Sequence, residues 1–234
     1  MTQVDIVLFG GGGGAVEIAR YITDSNRHST STSQAVVTDL VDEGTGRVDD
    51  LEHILGHSIS VHSDISTVKD LADKQFLLTL GNNPLRHDKF AGLKAQGVSF
   101  HTVIHPSAQV PESARVGEGC VISPFSLVGE FARLDANTFV NVRCTIGHDA
   151  RIGSSSILSP HAVLGGSSQL GDAVYLGSGA IVNPGVHVGS HSKVSSGAVV
   201  NSRIEAGCVA FGNPAKGKQV FDPATGHSRF AARS

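Results

Sequence analysis

The sequence predicts two joined units: a small α/β domain with a parallel sheet, then a solenoid of very short parallel strands. Three observations predict it. Aliphatic residues recur every six positions from Ile104 to Val200, seventeen in phase without a miss. Ahead of them, apolar runs of strand length alternate with helix-like segments. Finally, 28 glycines among 234 residues, with no collagen-like period, mark a chain with many tight corners.

In chain order, Val4 to Phe9 reads as a buried strand running into Gly10 to Gly14, after which Ala15, Ile18, Ala19 and Ile22 share one helical face. Ala35 to Thr38 follows a Ser/Thr-rich loop as a second strand, ending at Asp39. Ser66 suits a helix N-cap before Val68 and Leu71, Phe76 to Leu80 is a third strand, and Pro84 starts a helix reaching Gln96. The glycine loop satisfies GxGxxA through Gly10, Gly12 and Ala15, with Asp39 on the next strand. Such a loop suits a phosphate on backbone amides at a helix N-terminus, and it equally suits a plain tight turn. The segment is half of a dinucleotide fold, enough for one nucleotide.

From Ile104 onward the residue after the aliphatic position is Gly eight times and Asn or Asp four times, types that tolerate positive φ at corners. Two residues before it the side chain is small in almost every hexad, which fits a narrow interior. A helix repeats every 3.6 residues and an ordinary strand every second residue, so neither yields one large aliphatic per six. Three hexads per turn give a triangular coil, and seventeen give between five and six coils. The strict phase ends near Val200, and Phe211 to Lys216 closes the array. The expected division is 1–101 for the α/β domain, 102–216 for the solenoid and 217–234 for a tail of low apolar content that frays.

Charge and composition narrow the function. A net charge of −3 with no Lys/Arg block argues against capture of nucleic acid or anionic lipid. No apolar run approaches a membrane span and no leader pattern opens the chain, so a cytoplasmic protein is expected. Cys120, Cys144 and Cys208 are odd in number and far apart, which supports neither a disulfide framework nor a zinc ribbon. Within the repeat, Ile146-Gly147-His148-Asp149 places a titratable pair at a corner, where an imidazole can take a proton near neutral pH.

The hexad pattern resembles that of the left-handed parallel β-helix of hexapeptide acyltransferases. The whole chain resembles the sugar O-acyltransferase family of the sialic acid O-acetyltransferases (the NeuD family), which includes PglD-like N-acetyltransferases of nucleotide amino sugars. The pieces that carry the resemblance are the glycine loop, Leu80-Gly81-Asn82-Asn83 with Arg86, and His105-Pro106-Ser107-Ala108. Asn141, Ile146 to Asp149, Leu164-Gly165-Gly166 and Gly212 to Lys216 complete them.

The resemblance implies a Rossmann-like half domain, an acetyl-CoA-binding left-handed β-helix, no metal, and a homotrimer with sites between subunits. It further implies that His148 is the general base, Asp149 orients it, and the Gly166 amide steadies the oxyanion of direct acetyl transfer. Ile157, Ser178, Ser196 and Lys216 match positions that contact CoA, and Ile157 is a departure, because relatives can carry histidine there; either its backbone makes the contact, the favoured reading, or His161 four positions on replaces it. Gly11, Gly12, Gly13 and Asp39, with Gly81 and Asn82, match the grip on a nucleotide sugar, and Asn141 matches a sugar contact. Gly14 is a second departure, since relatives often place a polar residue in that loop. The expected reaction is N-acetylation of a nucleotide-linked 4-amino-4,6-dideoxy sugar, with O-acetylation of a sialic acid as the alternative. A zinc enzyme using His187 and His191 with His148 and His161, and a non-catalytic scaffold, are the readings from other classes.

Overall fold

The computed structural model describes residues 2–28, 32–42, 44 and 46–228. The N-terminal sheet is built from β1 (Thr2–Phe9), β2 (Ser33–Val41), β3 (Ser60–His62), β4 (Gln75–Leu78) and β5 (Ser99–Phe100), ordered β3-β2-β1-β4-β5 and parallel throughout. Three helices connect them: α1 (Gly13–His28), α2 (Val48–Leu55) and α3 (Asn83–Ala95). Ala15, Ile18, Ala19 and Ile22 of α1 are buried against Ile6, Leu8, Val37 and Leu40 of the sheet, as the helical spacing of the apolar residues requires. Two details differ from the sequence reading. Val48 to Leu55 is a helix that was not anticipated, stopped by Gly56 in the left-handed region at φ 76°. The segment around Ser66 forms only 3-10 turns (Ile65–Thr67 and Leu71–Asp73); Asp64 caps the first by accepting from the Ser66 amide, and the second has no side-chain cap.

From Val103 the chain winds into the left-handed β-helix. Two-residue strands pair in parallel at a spacing of eighteen residues, as in Phe139–Val140 with Ile157–Leu158, and they stack into three faces. The docked face carries Val103, Val121, Phe139, Ile157, Tyr175 and Lys193 at its outward positions. The apolar face carries Leu127, Thr145, Val163, Ile181 and Val199. The arginine face carries Arg115, Arg133, Arg151, Gln169 and His187. The second residue of each strand points inward, so Ile122, Val140, Leu158, Leu164 and Val182 form a core closed to solvent, with Ala and Cys side chains filling the corners. The first coil is the exception, because Ile104 is 38% exposed with no coil above to cover it.

The two units share a core. Val103, Val121 and Phe139 on the docked face join the cluster under α1, while α3 lies along the edge between the docked and arginine faces. Arg86, wholly buried, donates to the carbonyls of Leu78 and Asn137 and lies over the Phe139 ring, 5.9 Å from its centroid. Burial drives its guanidinium down to about 10. At the far end, Cys208–Gly212 pairs antiparallel with Ala215–Gln219. The segment expected to fray at 217 instead continues this strand, and Val220 and Phe221 both donate to the Gly207 carbonyl, because their main-chain groups find partners on the last coil.

Candidate functional site

His148 and Asp149 sit on the edge between the apolar and arginine faces, in the corner that links Thr145–Ile146 to Arg151–Ile152. This corner is held by its neighbours above and below: the Asp149 amide donates to the Glu130 carbonyl at 2.9 Å and the Ser167 amide to the His148 carbonyl at 2.8 Å. Coils can approach so closely because glycines line the edge. A Cβ on Gly129 would stand 2.5 Å from the His148 nitrogen, and one on Gly147 2.4 Å from the Gly166 nitrogen.

The His148 Nδ1 meets Asp149 Oδ2 at 2.8 Å. An ionised carboxylate only accepts, so Nδ1 carries the proton and Nε2 presents its lone pair outward. Both side chains face solvent, at 70% and 55% exposure. Gly166 lies one coil below, and a Cβ there would fall 2.6 Å from His148 Nε2. In this rotamer the imidazole occupies the space that a Cβ at position 166 would take. Among the described residues the Gly166 amide has no hydrogen-bond acceptor, which leaves it available as a donor. Cys144, by contrast, is 1% exposed in the core, and burial pushes its thiol up to about 11, far from a thiolate nucleophile.

The remaining expected site residues fall in three other places. Asn141, Ser178 and Ser196 line the edge between the docked and apolar faces, with Ser178 and Ser196 stacked one coil apart and joined where the Gly197 amide donates to the Ser178 carbonyl. Asn141 turns its Oδ1 onto the Val142 amide. Lys216 is exposed in the terminal hairpin, opposite Phe211. Ile157 is 4% exposed on the docked face, which leaves only its backbone for the contact expected there.

At the N-terminal domain, Gly12, Gly13, Gly81 and Asn82 are open to solvent, and Asn82 caps α3 by accepting from the Leu85 amide. Gly11 is closed: its amide donates to Asp42 Oδ1, its carbonyl accepts from Arg47, and Gly46 packs on its Cα. Asp39 is withdrawn as well. It lies within β2 at 3% exposure, and Thr38, His62 and Lys74 all donate to its carboxylate. Burial alone would raise its carboxyl, but these hydrogen bonds outweigh it and hold the group below the usual carboxylate range. The carboxylate that meets the glycine loop is Asp42, three residues on, which sequence reasoning missed. A strand that runs on to Val41 was the signal.

His148 and His191 occupy different edges of the solenoid, and among the described residues no group of three His, Cys, Asp or Glu side chains converges as a metal site. No described helix is long and apolar enough to cross a membrane.

Comparison with known proteins agrees with this architecture. Residues 167–202 match the family model described as bacterial transferase hexapeptide (six repeats). No curated protein sequence matches the chain. Among solved structures, the acetyltransferase domain of PglB from Neisseria gonorrhoeae FA1090 is 24% identical, with 92% of this chain and 99% of that one covered at a TM-score of 0.79. A perosamine N-acetyltransferase variant from Caulobacter crescentus, in complex with CoA and GDP-perosamine, is 27% identical over 92% and 96% of the two chains, at 0.76. WeeI from Acinetobacter baumannii AYE is 23% identical over 93% and 100%, at 0.75. The chain thus carries the hexapeptide repeat of bacterial transferases and shares the two-domain plan of these solved structures, a sugar N-acetyltransferase among them.

Proposed function

We propose that the protein transfers the acetyl group of acetyl-CoA to the amino group of a nucleotide-linked 4-amino-4,6-dideoxy sugar, with no metal. The observation that carries this reading is the oriented pair on the exposed edge, Nδ1 of His148 held by Asp149 and Nε2 turned to Gly166 of the next coil. In the reaction His148 Nε2 takes a proton from the sugar amine as the nitrogen attacks the thioester carbonyl, and Asp149 balances the imidazolium that forms. The Gly166 N–H donates to the oxyanion, whose collapse expels the CoA thiolate, and the proton held by His148 passes to that sulfur. The amine is the stronger nucleophile at neutral pH, so one well-placed base suffices, and no acyl-enzyme is formed.

The division of labour follows the domains. Residues 1–101 hold the nucleotide, 102–216 hold acetyl-CoA, and the segment from 217 closes the last coil. Of the glycine-loop residues, the open Gly12 and Gly13, with Gly81 and Asn82, are left to meet the acceptor. Ser178, Ser196 and Lys216 would line CoA, and Asn141 would bind the sugar.

Asn141, Ser178 and Ser196 lie on a different solenoid edge from His148, so the reading needs a second copy. Of the three faces, one is docked on the N-terminal domain and one bears arginines. The third carries the exposed Leu127 and the half-buried Val163, Ile181 and Val199, rimmed by Phe125 and Phe131 at 66% and 63% exposure. Closing three copies around that face would set the His148 edge of one against the Asn141, Ser178 and Ser196 edge of the next, which supports a homotrimer with shared sites. Sedimentation of the wild type, and of Ile181→Asp, tests this. The expected results are a trimer that the aspartate dissociates and, with it, loss of activity; a fully active monomer would overturn it.

A further inference from the structure

A nucleotide-linked acceptor brings a diphosphate, and the main cavity of the N-terminal domain is poorly furnished to neutralise one. A cavity of about 590 Å³ opens at the carboxyl ends of β1, β2 and β4, with Asp42, Asp64, Asp88 and Lys89 in its walls. Three carboxylates stand there against one ammonium, and Lys89 lies 5.2 Å from the centroid of the Phe9 ring. The Gly11 amide, which a phosphate cradle would use, is already taken by Asp42. Such a pocket accommodates the hydroxyls and N–H groups of a nucleoside but repels two phosphates in a row.

Cations without partners are found elsewhere. Arg115, Arg133 and Arg151 hold the outward position of three successive strands of the arginine face, in direct register and exposed. Adjacent strands in a sheet lie about 4.8 Å apart, so the three side chains form a close ladder. Among the described residues no carboxylate pairs with any of them. Like charges opposite one another on paired strands destabilise a sheet, and the next rungs of the same face, Gln169 and His187, show that the fold does not demand arginine there. Each arginine follows directly on a corner of the His148 edge, Arg151 only three residues after the histidine itself. The ladder therefore runs beside the site along its whole upper half.

The geometry points to a diphosphate seat: Arg133 and Arg151, with Arg115 as a third rung, bind the diphosphate that joins the acceptor sugar to its nucleoside, directing the sugar amine toward His148 Nε2. The guanidinium fork matches phosphate oxygens in pairs, and the ladder spacing offers one fork to each phosphate. This inference rests on the acceptor being a nucleotide-linked sugar.

Calorimetric titration with GDP and with UDP tests it on the wild type and on the double variant Arg133→Ala/Arg151→Ala. The expected result is binding of a nucleoside diphosphate by the wild type and a loss of about tenfold or more in the variant, the scale of one charge-assisted hydrogen bond. Acetyl-CoA and the free nucleosides should bind both proteins alike, the melting temperature should not fall, and the corresponding double lysine variant should recover part of the loss. An unchanged diphosphate affinity overturns the seat. So does a loss confined to acetyl-CoA, a parallel loss of every ligand with a lowered melting temperature, or a wild type that binds neither diphosphate. If the wild type binds diphosphate and the variant does not, while no nucleotide amino sugar is acetylated, the seat stands and the acceptor reading falls.

Discussion

At the scale of single residues, the account turns on one imidazole whose tautomer is set by its neighbour. His148→Ala should lower kcat by about 10²- to 10⁴-fold, the usual contribution of a general base, with little change in melting temperature because the side chain is 70% exposed. Asp149→Asn keeps the geometry but removes the charge that balances the imidazolium, so kcat should fall while the KM for acetyl-CoA holds. Gly166→Ala is a steric test: its methyl would stand 2.6 Å from Nε2, so steady-state kinetics should show near-complete loss of activity in a protein that still folds. The exposed placement of His148 and Asp149 was legible in the sequence, since a His-Asp dipeptide at a corner of a strict repeat has nowhere to go but outward. Asp39 was not legible. Only the strand's continuation to Val41, with its bulge between Val37 and Asp39, turns that carboxylate into the partner of Lys74 and His62. Its depressed carboxyl stabilises the fold above the unfolded value of about 3.9, and that stability is lost as pH falls through the lower folded value. Asp39→Asn should therefore melt below the wild type at pH 7, and the gap should close on acidification toward pH ~3.

At the scale of elements, the hexads specify every strand of the solenoid because each large aliphatic has only the prism interior to enter. Leu158→Ala should cost about 2–5 kcal/mol in chemical denaturation, since the coil above and below cannot collapse into the space. The N-terminal elements were less fully legible. α1 and α3 announced themselves by spacing and by Pro84, whereas α2 has no side-chain cap at its start and its C-terminal Gly56 was the only punctuation. The join between the units rests on Arg86, a buried cation with two carbonyl partners and an aromatic face. Arg86→Ala would strand the Leu78 and Asn137 carbonyls, so a loss of about 2–4 kcal/mol is expected from urea unfolding.

At the scale of the whole molecule, each face of the prism has its own chemistry: a docked domain, an apolar strip, and a row of cations beside His148. None of this was visible in the linear sequence, because outward residues of one face are eighteen positions apart and carry no local pattern. The structure also explains why the expected contacts divide between two edges, which one chain cannot bring together. The central claim is acetyl transfer to a nucleotide-linked amino sugar with His148 as base, and CoA release tests it most directly. Thiol release would be followed with acetyl-CoA and UDP-, dTDP- and GDP-linked 4-amino-4,6-dideoxy sugars, beside CMP-sialic acid and free sialic acid, for wild type and His148→Ala. The account predicts release with one of the amino sugars and its loss in the variant. Release with a sialic acid alone, or equal release by the variant, would contradict it.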